Sequence, residues 1–351
     1  MPESITKLVE IKNYLNVSKI GVIYSDAKRE YFPTDEQYTT EKTAKEDADK
    51  IAHAIKELGL EVKTFPGNDD MVLDLKKYKP DMVFNLVDSM KGNEYLSSTI
   101  PGLLDVMDIP YTGAGLLGLA LCFNKYLTKV LLQSAGIPVP NFQLFHNPND
   151  FMDPALRYPL ISKLNEIHGA VEINKDSISE NEKHLRDRLK YLMDTYKQPV
   201  LVEEYIAGRE ITALMLEGNN TKVYMAEKIF NKPDEKYLFA TFDDQWSDFS
   251  DDQKTWPYTY AKYDDSNLKD IVKKAVELTR MADYAKFDVR LDQSGRYFFI
   301  DSNANPAFAP KSSTTAIGLI IEELYSIPFS EIITRLICNT MNEARNGTQE
   351  H

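Results

Sequence analysis

Lys286–Asn305 reads KFDVRLDQSGRYFFIDSNAN. Alternation along a strand puts Lys286, Asp288 and Arg290 on one face and Phe287, Val289 and Leu291 on the other. Asp292–Gly295 supplies the turn, and the return strand presents Tyr297, Phe299, Asp301 and Asn303 on one of its faces. A tight hairpin therefore brings Asp288, Asp301 and Asn303 together. Two carboxylates and a carboxamide are hard oxygen ligands of the kind Mg2+ accepts, with substrate oxygens or water completing its shell. Lys286 and Arg290 stand beside them as candidate catalytic cations. The plainer alternative is a solvated hairpin whose acids keep it soluble.

Outward from this hairpin, VLVEEYIAGRE (Val200–Glu210) runs as a strand broken at Gly208. Glu203 and Tyr205 alternate with Glu204 and Ile206, and Glu210 lies beyond the turn. Acidic acceptors around an apolar step suit an adenine amino group and ribose hydroxyls; an exposed acidic edge strand is the alternative. Lys163 interrupts the apolar run PLISKL, and Lys125 opens a helix. A lysine among apolar neighbours either snorkels or meets an anion, and phosphate is a natural one. An edge-strand gatekeeper and a surface charge are the respective alternatives.

The rest of the chain reads as mixed α/β. Lys19–Tyr24, Leu60–Phe65 and Met82–Val87 are strand candidates. Ala44, Ala48, Ile51, Ala52, Ile55 and Leu58 recur between the first two at helical spacing. That order implies a parallel sheet with helical crossovers. Asn124–Ala135 and Glu180–Tyr196 are helices. Pro159–Leu164 and Ala170–Ile173 are strands around a short loop, and Glu210–Glu217 with Thr221–Lys228 forms a hairpin over Gly218, Asn219 and Asn220. Residues 231–260 lack periodicity, and a loop of that length suits a functional lid, with Trp246 and Trp256 available as cover. Leu268–Ala282 is a helix, and two more close the chain. Boundaries fall at 1–122, 123–205 and 206–351.

With 351 residues, 43% hydrophobic and 27% charged, the chain has material for several cores. A net charge of −13 with no dense basic block argues against a nucleic-acid partner. Two distant cysteines, Cys122 and Cys338, suit a reducing compartment. Met1–Asn16 is an amphipathic segment without a signal peptide's apolar centre, and no run is long enough to span a bilayer. A cytoplasmic enzyme is expected.

The order of lysines, acidic hinge and late D…D-x-N hairpin resembles the ATP-grasp superfamily, and more closely the D-alanine–D-alanine ligases. The resemblance is carried by VFNLV (Val83–Val87), LLDVMDIPYTGAG (Leu103–Gly115), NKYLTKVLLQSAGIPVP (Asn124–Pro140), VEEYIAGREIT (Val202–Thr212) and DSNANP (Asp301–Pro306). It implies three domains with ATP between the second and third. It implies that Lys125 and Lys163 contact phosphates, that Glu203 and Ile206 line the adenine pocket with Glu204 beside them, and that Glu210 takes the ribose. Asp288, Asp301 and Asn303 would hold two Mg2+ ions, or Mn2+ in their place. Lys236, in EKY (Glu235–Tyr237), would approach the γ-phosphate, and Ser312 the acceptor's carboxylate. The implied reaction joins a small carboxylate, activated as an acyl phosphate, to an amine; amino acids are the natural substrates. A homodimer is implied too.

Several positions depart from the family pattern. Asp88 and Ser89 replace a His-Gly pair, Asn165–Val171 (NEIHGAV) replaces a serine-rich loop, Lys286 stands for an arginine and Ala307 for a glycine. Glu30 is the only candidate for the N-terminal substrate glutamate, because Ser25–Lys28 replaces a glycine-rich turn. ATP and metal residues are thus kept where substrate residues change. That leaves open a ligase for other amino acids, dipeptides or a biosynthetic intermediate, and a nucleotide-binding regulatory module without catalysis.

Overall fold

The computed structural model describes residues 17–217, 221–247 and 256–346. The expected N-terminal amphipathic segment, the turn at Gly218–Asn220 and residues 248–255 of the long loop lie outside them.

Three sheets follow one another along the chain. The first has strands β1 (Lys19–Ser25), β2 (Glu61–Gly67) and β3 (Met82–Leu86), all parallel in the order β2-β1-β3. Helices α1 (Asp35–Glu41) and α2 (Ala44–Glu57) join β1 to β2, and α3 (Met71–Tyr78) joins β2 to β3. The helical repeat of α2 buries Ala48, Ile51 and Ile55 against Ile20 and Val22 of β1, as the spacing predicts. Four short helices follow: α4 (Glu94–Ser97), α5 (Thr99–Val106), α6 (Leu116–Cys122) and α7 (Lys125–Ser134).

The second sheet is antiparallel, ordered β4-β7-β5-β6: β4 (Phe142–Phe145), β5 (Leu160–Leu164), β6 (Ile178–Ser179) and β7 (Val200–Glu204). Helix α8 (Glu182–Tyr196) covers one face with Leu185, Leu189 and Leu192. Ala170–Ile173 is not the strand expected from its apolar residues. Ala170 and Glu172 both take left-handed φ values, 58° and 64°, and the segment turns. Strands β5 and β7 both lie inside the sheet, so neither Lys163 nor Glu203 belongs to an edge strand.

The third sheet, order β10-β9-β8-β11-β12, is also antiparallel: β8 (Arg209–Leu216), β9 (Lys222–Phe230), β10 (Tyr258–Tyr263), β11 (Tyr284–Leu291) and β12 (Tyr297–Asn303). Helices α9 (Phe242–Trp246) and α10 (Ser266–Leu278) precede β10 and β11 respectively, so the long stretch is partly ordered. A π-helical segment (Gly318–Leu324) and α11 (Phe329–Asn346) close the chain. Phe287, Val289 and Phe299 pack against Leu268 and Val272 of α10, leaving the opposite face of β11 for Lys286, Asp288 and Arg290.

Gly208 connects β7 to β8 with φ 148°, and a Cβ there would sit 2.1 Å from the Leu291 carbonyl oxygen. The hinge between second and third sheets therefore needs glycine. Among the described residues, no helix is long and apolar enough to cross a membrane.

Candidate functional site

Register assembles the site. Lys228 on β9 pairs with Glu210 on β8, and Glu210 with Arg290 on β11, which makes one cross-strand row of alternating charge. Glu210 is closed between Lys228 Nζ at 2.6 Å and Arg290 Nη2 at 3.0 Å, all three buried. The next row is Thr212, Asp288 and Asp301. Asp288 Oδ1 accepts from the Thr212 hydroxyl at 2.8 Å, and Oδ2 from Lys286 Nζ at 2.8 Å. Burial opposes the charge on Asp288, yet Lys228, Lys286 and the Thr212 hydroxyl hold its pKa well below the usual carboxylate range. Asn303 lies opposite Lys286 in the row beyond.

Strict alternation does not hold on β12. The register shifts between Asp288 and Val289: Asp288 faces Asp301, while Val289 faces Phe299. Ile300 is the extra residue of a bulge, so Phe299 enters the core beside Phe287 while Asp301 turns to the site. The expectation that Tyr297, Phe299, Asp301 and Asn303 share one face is corrected accordingly. Asp301 Oδ1 is buried with no hydrogen-bond partner. Burial opposes its charge too, but Lys125, His168, Lys163 and Lys286 lower its pKa.

Lysines from β5 and α7 lie around this carboxylate. Lys163 Nζ donates to Glu203 Oε2 at 3.2 Å and to the Ile300 carbonyl at 3.0 Å. Lys125 Nζ donates to the Ile167 carbonyl at 2.7 Å. A cavity between the two sheets is lined by Lys125, Lys163, Glu203, Glu204, Ile206, Glu210, Asp288, Arg290 and Asp301 among the expected residues. Glu203 is 1% exposed and engaged by lysines, and the Glu204 carboxylate turns to the Arg157 amide at 2.9 Å and to Asn141 at 3.1 Å. Acidic acceptors for a base thus reduce here to the backbone of the 203–206 step.

Residues 238–246 roof the cavity. The Leu238 amide donates to the Tyr205 hydroxyl at 3.0 Å, and Arg290 Nη2 donates to the Leu238 carbonyl at 2.5 Å. Phe239, Ala240 and Gln245 line the cavity from above. Trp246 donates to the Gly169 carbonyl at 2.7 Å, while Trp256 is 43% exposed. Lys236 lies outside: its ammonium pairs with Glu180 at 2.6 Å and its side chain is 70% exposed. Ser312, in the turn Lys311–Ser313, is exposed and does not line the cavity; its neighbour Ser313 is tied to Asp47 and Lys50.

Sequence reasoning passed over Lys228, Thr212 and Lys129. Lys129 follows Lys125 by one helical turn, a spacing that puts both on one face and was the available signal. Lys228 becomes visible only once β8 and β9 are in register. His168, a lone loop histidine by sequence, is held by Glu94, with Nδ1 2.6 Å from Oε2 and its amide 2.9 Å from Oε1.

Near His168, acids from α1 and from the loop after β3 gather. Ser89 donates to Glu41 at 2.8 Å and Asn305 to Asp88 at 2.9 Å. Burial raises Glu41 from 4.5 to about 7 and Asp88 well above its usual range; elsewhere it raises Asp283 from 3.8 to about 8. Burial and Lys125 oppose the charge on His168, but Glu94 and Cys122 raise its pKa from 6.5 to about 9. All four native groups therefore bind more protons than their unfolded counterparts. The acids' contribution is greatest below their unfolded values and is lost as pH rises to the folded ones; that of His168 is whole below 6.5 and lost through 9. Each whole proton of difference costs about 1.4 kcal/mol per pH unit. The melting temperature is thus expected to fall between pH 5 and pH 8 at constant ionic strength. A flat or rising profile in scanning fluorimetry would refute these assignments.

For a metal, the fit is that of a partial shell. No group of three or more His, Cys, Asp and Glu side chains among the described residues is placed to hold an ion alone. Asp301 brings an unpartnered buried oxygen next to Asp288, which suits a hard cation that takes its remaining ligands from a phosphate.

Comparison with known proteins places the chain within a family. A family described as "D-ala D-ala ligase C-terminus" matches residues 131–337. An uncharacterized protein, y4sG, of Sinorhizobium fredii is 28% identical over 287 residues, covering 80% of this chain and 84% of that one. The D-alanine–D-alanine ligase of Aquifex aeolicus is 26% identical over 265 residues, 75% of this chain and 84% of its own. The crystal structure of the D-alanine–D-alanine ligase from Bacillus anthracis complexed with ATP superposes with a TM-score of 0.71 at 17% identity, covering 94% of this chain and 99% of that one. At that identity the likeness speaks for the fold.

Proposed function

The chain belongs to the D-alanine–D-alanine ligase family, whose C-terminal region matches more than half of it, and on that premise we propose that it joins a carboxylate to an amine through an acyl phosphate. It is an ATP-grasp ligase; the acyl phosphate, the substrates and the residue roles are our reading. We divide the chain at 1–122, 123–205 and 206–351, with ATP between the second and third units. The observation that carries the reading is Asp301: a buried carboxylate with a free oxygen, facing Asp288 and surrounded by Lys125, Lys163, Lys286 and His168.

In this reading Asp288, Asp301 and Asn303 would hold two magnesium ions, which would supply positive charge to the phosphate oxygens. Lys163, with one ammonium hydrogen beyond those given to Glu203 and Ile300, and Lys125 hold the phosphates. Lys286 and Arg290 add charge from the β11 face, and the backbone at 203–206 meets the base. Glu210, already shared by Lys228 and Arg290, takes the ribose as an acceptor. The substrate carboxylate attacks the γ-phosphorus, ADP leaves, and the amine then displaces phosphate from the acyl carbon. Charge placement supplies most of the acceleration. The 238–246 roof excludes the water that would hydrolyse the intermediate. Lys236 and Ser312 reach this chemistry only if their segments move toward the cavity.

Asp88 and Ser89, on the first-sheet side, stand where the family pattern has a His-Gly pair. That difference favours an amino acid or dipeptide other than D-alanine. The acyl phosphate is tested by trapping. With Mg-ATP and hydroxylamine, the true carboxylate substrate is expected to yield its hydroxamate. ATP consumption and amide formation without any hydroxamate would count against this route.

A further inference from the structure

β12 is the outer strand of the third sheet, so the donors and acceptors of its free edge need partners from elsewhere. They come from the second unit. The Phe299 amide donates to the Pro138 carbonyl at 2.9 Å. The Phe299 and Ile300 carbonyls both accept from Lys129 Nζ at 3.2 Å, and Ile300 also accepts from Lys163 Nζ at 3.0 Å. Glu203 Oε1 lies 3.2 Å from the same Lys129 ammonium, as an ion pair. Lys129 is 5% exposed and does not line the cavity, so unlike Lys163 it has no ligand to meet there.

Two successive carbonyls reached by one ammonium are those of the bulge itself. The bulge is what separates Phe299, in the core, from Asp301, in the site. A regular strand would send both to one face.

We infer that Lys129 is a positioning residue: it fixes the Ile300 bulge and thereby aims the Asp301 carboxylate at the metal position. The inference rests on the reading of Asp301 as a metal ligand. It also makes the metal position depend on docking of the second unit, because the pin comes from α7 while the carboxylate comes from β12.

The test compares wild type, Lys129→Met and Asp301→Asn for Mn2+ binding, read by EPR of the bound ion with a nonhydrolysable ATP analogue present. Melting temperature and metal-free analogue affinity are measured alongside. Lys129→Met is expected to bind Mn2+ about 10- to 100-fold more weakly, the usual effect of removing a partner behind a metal ligand. Its analogue affinity without metal is expected to stay within a few-fold of wild type, which a general loosening would not allow. A folded Lys129→Met protein with wild-type Mn2+ affinity overturns the inference. So does an equal loss of metal-free analogue affinity. If Asp301→Asn itself binds Mn2+ normally, the metal reading fails and the inference with it, by a separate result. Lys129→Gln, whose side chain ends one atom short of the lysine nitrogen and so leaves the two carbonyls without their donor, replaces the methionine variant should that not fold, with the same expectation.

Discussion

Asp301→Asn is expected to lower ATP-dependent turnover on the order of 1000-fold, with the fold intact. The activity loss follows from charge. Asp301 is the carboxylate around which Lys125, Lys163, Lys286 and His168 converge, and asparagine keeps its shape while removing the negative charge. The fold should survive because every converging cation has another partner. Lys125 keeps the Ile167 carbonyl, Lys163 keeps Glu203 and the Ile300 carbonyl, Lys286 keeps Asp288, and His168 keeps Glu94. Circular dichroism and a melting curve check the second half, and phosphate release checks the first. Near-normal turnover by a folded variant would remove Asp301 from the metal position.

The largest stability effect is expected at Glu203. It is 1% exposed and stands 3.2 Å from both Lys129 and Lys163, one on each carboxylate oxygen. Glu203→Ala leaves two buried ammoniums without their counter-ion, and breaking a buried ionic group this way costs about 3–5 kcal/mol. Lys129 has little reserve. Burial already lowers its pKa to about 8, with Glu203 the main influence holding it up. Glu203→Gln, which keeps the shape, should lose less. Denaturant midpoints for the two variants measure this, and a loss below about 1 kcal/mol for the alanine variant would show that the lysines are served by something else.

Much of this arrangement is visible in the sequence, because its determinants are local. Period-two alternation on β11 separates Lys286, Asp288 and Arg290 from Phe287 and Val289, and the apolar repeat of α2 is as clear. What escapes is what depends on distant pairing. The Ile300 bulge breaks alternation without any glycine or proline to announce it. Its carbonyls are served by lysines from α7 and β5, 171 and 137 positions earlier in the chain. His168 owes its place to Glu94, 74 residues before it, so nothing beside it in sequence distinguishes it from an incidental loop residue. Ala170–Ile173 mimics a strand because left-handed backbone at Ala170 and Glu172 occurs without glycine there. Glu172 is held by Arg188 at 3.0 Å, Tyr191 at 2.8 Å and Tyr196 at 2.9 Å, contacts that offset an unfavourable conformation. Lys236 and Ser312 were placed by resemblance alone, and neither lines the cavity; Lys286 and Asn303 do not line it either, although β11 and β12 hold them in the row next to Asp288 and Asp301.

The central claim is ligation driven by ATP. Its most direct measurement follows phosphate release from Mg-ATP by the wild-type chain across D- and L-amino acids, singly and in pairs, with products identified by mass spectrometry. Release is expected to require a particular carboxylate and amine, with one amide bond formed per ATP consumed. Binding of ATP with no release under any pair would contradict that claim and leave a nucleotide-binding regulatory module in its place.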